Sequence, residues 1–356
     1  MSSPLLEWFG RGGPGGAVPP GFGNPVPASW PDEGVAAHYG DPAREQRSLD
    51  TGAGFVDRSN RGVVTVTGPD RLSWLHSLTS QHLEKLQPGD SAQALILDPN
   101  GHVEHHLTLT DDGTTAWIHT EPGRAESLAA FLDSMRFMMR VEVADVTLDY
   151  AVISLRGPDR GDLAAGAEGI AVGVTTDRSS VLDLILPRER LAVTAEDLVR
   201  RGAAAAGIWA FEALRIAAHE PRLGVDTDQR TIPHEVGWID TAVHLNKGCY
   251  RGQETVARVH NLGHPPRRLV FLNLDGSVDR LPGHGDPVEL DGAVVGTTGS
   301  AARHYELGPI ALALVKRTVP VDATVLAGGI AAAQEVIVRP DAGANVKVTL
   351  RKRTIV

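Results

Sequence analysis

Residues 247–254, with the sequence KGCYRGQE, have the types and spacing best suited to chemistry. Cys249 is the only cysteine of the 356-residue chain, and it stands between Lys247 and Arg251. A helix is predicted to begin at this point, because Gln253 opens a run with valines at helical spacing. The positive end of a helix and neighbouring cations both favour a thiolate. The pattern predicts a reactive cysteine, and the alternative is a buried, inert thiol.

Two carboxylates are the next candidates. Glu104 follows an Asn-Gly turn at residues 100–101 on an otherwise apolar strand, so its side chain faces either solvent or a pocket. Glu212 lies in an apolar helical segment, with Arg215 one turn away. A carboxylate in such company is usually paired or used in function. It could accept two N–H bonds from the edge of a heterocycle such as a pterin or a purine.

Three clustered histidines, His102, His105 and His106, suggest a metal site. Neighbouring residues of a strand point to opposite faces, so His105 and His106 cannot bind one ion without distortion. No recognised ligand spacing accompanies them. We therefore predict no metal site.

The composition is that of an ordinary globular protein of two or three domains, with 42% hydrophobic and 22% charged residues. Thirty-four Lys and Arg against 44 Asp and Glu give a net charge of −10, which disfavours nonspecific binding to nucleic acid or anionic membranes. We predict no direct nucleic-acid contact and no membrane association. A single cysteine cannot form an internal disulfide, so a reducing cytoplasmic location is expected.

A strand, a Gly-Pro-Asp-Arg turn and a helix occur twice, with the turns at residues 68–71 and 157–160. Proline suits the first turn of a helix, and the repeat predicts two related α+β halves, at about 35–145 and 146–265. The Asn-Gly turn predicts a hairpin between them. The expected elements of that region are strands at 93–98, 103–109 and 117–120 and a helix at 124–139.

From about Arg267 the chain changes to short apolar runs separated by Gly, Pro or Asp. This pattern predicts a small β-barrel or sandwich formed by residues 266–356. The expected strands are 269–274, 287–290, 294–299, 310–315 and 336–338. Residues 1–34 are rich in Gly and Pro and are expected to form a flexible N-terminal segment.

The KGCYRGQE segment resembles the signature of YgfZ-type folate-binding proteins. These belong to the superfamily of the aminomethyltransferase (T-protein) of the glycine cleavage system, called GcvT-like. The resemblance extends over about residues 50 to 320, where further blocks follow in the superfamily's order. These blocks are FVDRS at 55–59, GPD at 68–70, NGHVE at 100–104, RGP at 156–158, EALRI at 212–216, PRLGVD at 221–226, IPHE at 232–235 and VGTTGS at 295–300.

The resemblance implies an α+β fold in which two related halves and a C-terminal β-barrel surround a central channel for tetrahydrofolate. Glu212 falls where the superfamily places the acid that binds the pteridine ring. Glu104 falls where the transferase keeps an aspartate facing the reacting nitrogen, and His105 replaces a second aspartate. Arg251 and Gln253 are expected to be further folate contacts.

The family association is with the assembly, repair or maintenance of iron–sulfur clusters, including those of radical enzymes that modify transfer RNA. It implies iron–sulfur client proteins as partners of a monomeric chain. Cys249 would act as a transient ligand, a redox group or a nucleophile. Lys247 would be its electrostatic partner or a contact for the folate tail. Two alternatives stay open: a folate-dependent aminomethyl or methyl transferase that uses Glu104, and a non-catalytic binding scaffold.

Overall fold

The computed structural model describes residues 2–10, 22–165, 167, 169–175 and 180–343. Two short 3₁₀ helices lie at Arg188–Arg190 and Pro233–Glu235. The α-helices are α1 (Pro4–Gly10), α2 (Pro42–Thr51), α3 (Arg71–Leu78), α4 (Ala125–Ser134), α5 (Arg160–Ala164), α6 (Leu191–Arg200), α7 (Ile208–Ala217), α8 (Trp238–Thr241) and α9 (Gln253–Leu262). The strands are β1 (Val26–Pro27), β2 (Ala36–His38), β3 (Gly54–Asp57), β4 (Gly62–Thr67), β5 (Ser91–Leu97), β6 (Val103–Asp111), β7 (Thr115–Thr120), β8 (Glu142–Asp145), β9 (Tyr150–Arg156), β10 (Ile170–Thr175), β11 (Ser180–Pro187), β12 (Ala204–Ala206), β13 (Arg267–Leu274), β14 (Pro287–Leu290), β15 (Ala293–His304), β16 (Gly308–Lys316), β17 (Val325–Ala327) and β18 (Ile330–Val336).

Two five-stranded sheets form the α+β part of the molecule. The first has the order β5-β6-β7-β4-β8 and the second the order β10-β11-β9-β3-β12. Strand β3 comes before the first sheet in the chain but pairs with β9 and β12 of the second. The two sheets therefore do not divide the chain at residue 145, because one early strand completes the later sheet.

The two Gly-Pro-Asp-Arg turns adopt the same local structure. Gly68 and Gly157 both have positive φ, at 129° and 104°. A Cβ atom on either would come within 2.2 Å of a backbone oxygen, so only glycine fits. Arg71 and Arg160 each donate a bond of 3.1 Å to the carbonyl of the glycine three residues earlier. The predicted pair of strand–turn–helix units is confirmed.

The C-terminal strands close into a six-stranded barrel of order β13-β16-β15-β14-β17-β18. The structure thus decides between the barrel and the sandwich. Alternate residues of β13 fill the barrel interior, with Val270 and Leu272 fully buried, as a closed sheet requires. The last strand ends at Val336 instead of covering residues 336–338, and β17 was not predicted, because its three residues are too short for a clear alternation.

Part of the N-terminal segment packs on the fold, which corrects the expectation of a flexible stretch. Leu5 of α1 is fully buried in the core of the second sheet, and the Ser3 hydroxyl donates to the carboxylate of Asp57. The apolar face of α1 supplies the reason, since its burial removes hydrophobic area from water. None of the helices in the described ranges is both long enough and apolar enough to cross a bilayer.

One core cluster joins the first sheet to the barrel. It includes Leu95 and Val103 from the hairpin, Phe271 and Leu312 from the barrel, and Tyr250 from the KGCYRGQE segment. The aromatic ring of Tyr250 fixes this segment against both bodies. Its burial raises the pKa of the Tyr250 hydroxyl to about 12.

Candidate functional site

Glu104 is the extra residue of a β-bulge. In the β5–β6 pair, Ile96 lies opposite His105 and Leu97 lies opposite Val103, which leaves Glu104 without a partner residue. A bulge locally breaks the alternation of side chains and re-aims the extra residue. As a result Glu104 and its neighbour His105 line the same cavity.

The KGCYRGQE segment crosses the Asn-Gly turn at very short distance. Gly252 has a φ of 80°, and a Cβ atom there would lie 2.6 Å from the Asp98 carbonyl oxygen and 3.0 Å from Gly101 Cα. Glycine is therefore required at this crossing. The contact sets Arg251 beside Glu104, where its Nη1 donates to Glu104 Oε2 at 2.8 Å.

The cavity at this crossing has a volume of about 950 Å³. Its walls include acidic, basic and apolar side chains. Among them are Asp98, Glu104, His105, Arg124, Phe131, Met135, Leu223, Asp228 and Arg251. Burial, with a smaller contribution from Arg124, lowers the pKa of His105 to about 4. His105 is therefore neutral at pH 7, and its buried Nδ1 atom has no hydrogen-bond partner among the described residues. Such an atom is a ready contact for a polar ligand.

Cys249 is exposed, so the expectation of an accessible thiol is met. The helix, however, begins at Gln253, because Gly252 in the left-handed region interrupts the chain just before it. Cys249 lies four residues ahead of that start, and the field of a helix end falls off within one turn. Cys249 therefore does not lie at the start of the helix, where the sequence suggested it would be.

The two cationic residues that flank Cys249 in the sequence bind other groups of the protein. Arg251 pairs with Glu104, and the Lys247 ammonium donates to the backbone carbonyls of His76 and Thr79. The ammonium also lies 5.0 Å from the centre of the Tyr250 ring. Burial lowers the pKa of Lys247 to about 8. Lys247 thus ties the cysteine loop to α3, and neither a solvent-facing position nor a contact to the large cavity is found for it.

Gln253, expected to contact folate, donates a long bond of 3.5 Å from its side chain to the Lys247 carbonyl. It is the first residue of α9 and stabilises the loop from within. Of the six site residues named from the sequence, the structure brings only Glu104 and Arg251 into direct contact with each other at the large cavity.

Glu212 lines a second cavity of about 560 Å³ on the other side of the segment 221–228. Trp30, Trp209 and Ser300 are among its other walls. The carboxylate is held by two bonds from Arg215, of 2.7 and 3.0 Å, and lies 3.1 Å from an Arg222 nitrogen. Burial acts to raise the pKa of Glu212, but the two arginines outweigh it and lower the pKa. Its acceptor capacity is thus largely used by the protein itself.

Arg222 is the centre of a buried charged network. Its guanidinium reaches Asp32 at 2.8 Å and Glu121 at 2.8 Å as well as Glu212, and its side chain is only 5% exposed. Leu223 and Gly224 line the large cavity, whereas Val225 lines the second one. The segment that carries Arg222 thus contributes walls to both cavities.

The charged network continues from Glu121 into the second sheet. Glu121 accepts a bond of 2.8 Å from Arg61, whose Nε donates to His119 Nδ1 at 2.9 Å. Since Nδ1 accepts, the proton of the neutral ring is on Nε2, which lies 3.0 Å from an Asp183 oxygen. Burial lowers the pKa of His119, consistent with this neutral form. The network joins the two sheets through polar groups that hydrogen-bond one another.

Sequence reasoning missed this network, because each member is a charged residue that is usually found at the surface. The available signal was the PRLGVD block, which places Arg222 and Asp226 between apolar positions. The bulge at Glu104 carried no signal beyond the Asn-Gly turn. His106, one of the three clustered histidines, stacks on Trp238 with a centroid distance of 4.7 Å.

Residues 22–172 match the family model of the GCVT N-terminal domain. Two aminomethyltransferases, from Rubrobacter xylanophilus and Symbiobacterium thermophilum, are 28% and 27% identical over 77% and 79% of this chain and 78% and 83% of their own. A chloroplastic protein of Arabidopsis thaliana with a provisional transferase name is 26% identical over 78% of this chain and 70% of its own. These matches support the GcvT-like superfamily.

The solved structure of aminomethyltransferase T of the glycine cleavage system from Bartonella henselae superposes with a TM-score of 0.74. It covers 88% of this chain and 93% of its own, at 19% identity. The fold is therefore GcvT-like, as the resemblance implied, with mixed α+β halves and a closed C-terminal barrel.

Proposed function

We propose that this chain binds tetrahydrofolate in the large cavity and uses it in one-carbon transfer of the aminomethyltransferase type. The observation that carries the proposal is the bulged Glu104, held by Arg251 at 2.8 Å at the mouth of a cavity in a GcvT-like fold. The aminomethyltransferase names of the relatives support the reaction class.

The cavity's donor set suits a reduced folate. Its volume is at the upper end of the roughly 300–1,000 Å³ typical of small-ligand sites. Arg124 can bind the glutamyl carboxylate of folate, and the Nδ1 atom of His105, which has no partner among the described residues, can bond to a pterin N–H group. Phe131 supplies an apolar face for an aromatic ring.

Glu104 would act electrostatically, through its negative charge. Tetrahydrofolate supplies one ring nitrogen and one exocyclic nitrogen that take the methylene carbon of an aminomethyl donor, while ammonia and the free carrier are released. A carboxylate fixed beside them stabilises the positive charge that develops as the unit is transferred. Arg251 holds the Glu104 carboxylate in one position, so little reorganisation is needed in the reaction.

Glu212 takes a different role in this proposal. Because Arg215 and Arg222 already occupy its carboxylate, we assign it to the support of the buried network around Arg222 and not to pterin binding. This departs from the position that the family resemblance implies for it.

Calorimetric titration of tetrahydrofolate tests these assignments together. For Glu104→Gln we expect at least a tenfold weaker affinity with an unchanged melting temperature, because a charge-assisted contact is lost from a half-exposed position. Glu212→Gln is the matched control and should keep the affinity within about twofold while lowering the melting temperature. If Glu212→Gln weakened folate binding and Glu104→Gln did not, the folate site would be assigned to the second cavity. Absence of folate binding to the wild-type chain would overturn the proposal.

The reaction itself is tested by incubating the protein with tetrahydrofolate and an aminomethyl donor and measuring methylenetetrahydrofolate. Turnover that falls at least a hundredfold in Glu104→Ala, with folate still bound at saturating concentration, is the expected result. Folate binding without any turnover would contradict the transferase and leave a folate-binding accessory role.

That accessory role is the second candidate, a YgfZ-type protein for the maintenance of iron–sulfur clusters in client proteins. The exposed Cys249 in the KGCYRGQE segment favours it. The cluster would be cargo, since one thiol cannot supply the four of a conventional site. A cytoplasmic, monomeric protein fits both candidates.

Cys249→Ser distinguishes the two candidates. In the accessory role, the variant should fail to restore the activity of an iron–sulfur enzyme in cells that lack the protein, while its folate affinity stays unchanged. Full restoration would exclude a role for the thiol. In the transferase, Cys249→Ser should retain the full rate of methylenetetrahydrofolate formation.

A further inference from the structure

Two histidines and a glutamate converge outside both cavities, at the C-terminal end of α3. His76 lies in the last turn of this helix, and His82 and Glu84 follow it. One potential ligand atom from each of the three lies within 4.8 Å of the other two. The histidine motif considered from the sequence lay elsewhere, at residues 102–106, and this group was not predicted.

The two imidazoles have polar atoms that nothing satisfies. His76 Nδ1 and His82 Nε2 are both buried and have no hydrogen-bond partner among the described residues. The rings meet edge to face, with centroids 4.7 Å apart and an interplanar angle of 81°. Buried nitrogens without a partner are uncommon in folded proteins, and two of them at one place suit an added ligand.

The group lies next to the cysteine loop. The Lys247 ammonium donates to the carbonyl of His76, and the ring of His244 lies 5.2 Å from that of His82. These contacts hold the α3 end and the segment before Cys249 together. The backbone that carries the two imidazoles is therefore fixed from two sides, whereas Glu84 is exposed and free to change rotamer.

We infer that His76, His82 and Glu84 form a binding site for a divalent transition-metal ion of the zinc or ferrous class. Two imidazoles and one carboxylate suit these ions and leave coordination positions open. Ligand atoms about 2.0–2.2 Å from a metal lie roughly 3.5 Å from one another, so each separation closes by at most about 1.3 Å on binding. The exposed Glu84 can supply most of that movement. The site is independent of the folate cavity.

Calorimetric titration of Zn²⁺ into the full chain, treated beforehand with a chelator, tests the inference. We expect one equivalent to bind and the affinity to fall at least about tenfold in Glu84→Gln and in His82→Gln. Glu84 is exposed, so its variant keeps the fold and gives the result even if His82→Gln is unstable. His264→Gln, an exposed histidine on another surface, is the matched control and should bind as the wild type does.

Co²⁺ gives a second measurement, since its visible absorption reports the ligand geometry. A ligand-field band typical of Co²⁺ with a low coordination number should appear in the wild type and disappear in Glu84→Gln. Cys249→Ser should keep both the band and the Zn²⁺ affinity. Binding that is unchanged in Glu84→Gln and His82→Gln, or that is lost only in Cys249→Ser, would overturn the site, as would failure of the wild-type chain to bind either ion.

Discussion

The Arg215–Glu212 pair and the Arg251–Glu104 pair have the same chemistry but different surroundings. The Arg215–Glu212 pair is 5% and 16% exposed, whereas the Arg251–Glu104 pair is 36% and 39% exposed. The first pair is shared with further charged groups and bridges helix α7 to the barrel through Ser300. The second holds one carboxylate at the edge of a cavity. Burial thus separates a pair that maintains the structure from one that remains available to a ligand.

The largest effect expected from this comparison is on Arg222. Arg222→Met would leave Asp32, Glu121 and Glu212 buried without their shared cation. We expect the free energy of unfolding to fall by about 3–5 kcal/mol. Arg251→Met, the matched change at the cavity, should cost less than about 1 kcal/mol. Urea denaturation measures the free energy of unfolding of both variants. Equal losses of stability would show that burial does not distinguish Arg222 from Arg251.

The second prediction concerns acid. Burial lowers the pKa of His106 to about 4, so the folded state resists a proton that the unfolded state accepts at its ordinary value of 6.5. Between pH 6.5 and 4 the unfolded chain therefore binds more protons, and stability falls as the pH falls. For His106 this loss amounts to about 2 to 3 kcal/mol.

His106→Phe isolates this contribution, because it keeps an aromatic ring against Trp238. Urea denaturation of the wild type and the variant at several pH values should show a shallower acid dependence in the variant. The same dependence in both proteins would mean that the buried ring is protonated in the folded state or that other groups dominate.

The smallest effect is that of salt on the two pairs. The coupling energy from a double-mutant cycle of Glu104→Gln and Arg251→Met should be at most about 1 kcal/mol and should shrink as sodium chloride is raised from about 0.05 to 0.5 M. The corresponding cycle for Glu212→Gln and Arg215→Met should be larger and almost insensitive to salt. If the two coupling energies had the same salt dependence, the difference in burial would not explain the different roles of the two pairs.

Much of the fold could be predicted from the sequence, because its signals are local. The Asn-Gly turn that joins β5 to β6 and the repeated Gly-Pro-Asp-Arg turns each follow from a few neighbouring residues. Helix α4 was expected to reach residue 139 and ends at Ser134. Apolar residues beyond that point, such as Phe137, are exposed. Because they do not pack against the rest of the protein, no tertiary contact stabilises a further helical turn.

The site was harder to predict because it depends on contacts between distant segments. Glu104 and Arg251 were named separately, but their pairing depends on a bulge and on the crossing at Gly252. Cys249 was placed at a helix start because left-handed backbone at Gly252 cannot be read from the residue type alone. Likewise, nothing in the local sequence indicated that Glu212 would be held by Arg222 from another segment.

The crossing of Gly252 over the Asn-Gly turn makes the protein vulnerable at a position that faces no ligand. Any side chain there would separate the two segments, and with them the arginine from its carboxylate. In a saturation mutagenesis screen, Gly252 would score as severely as a residue of the binding site. An observer without the coordinates would be misled into giving it a direct part in the chemistry.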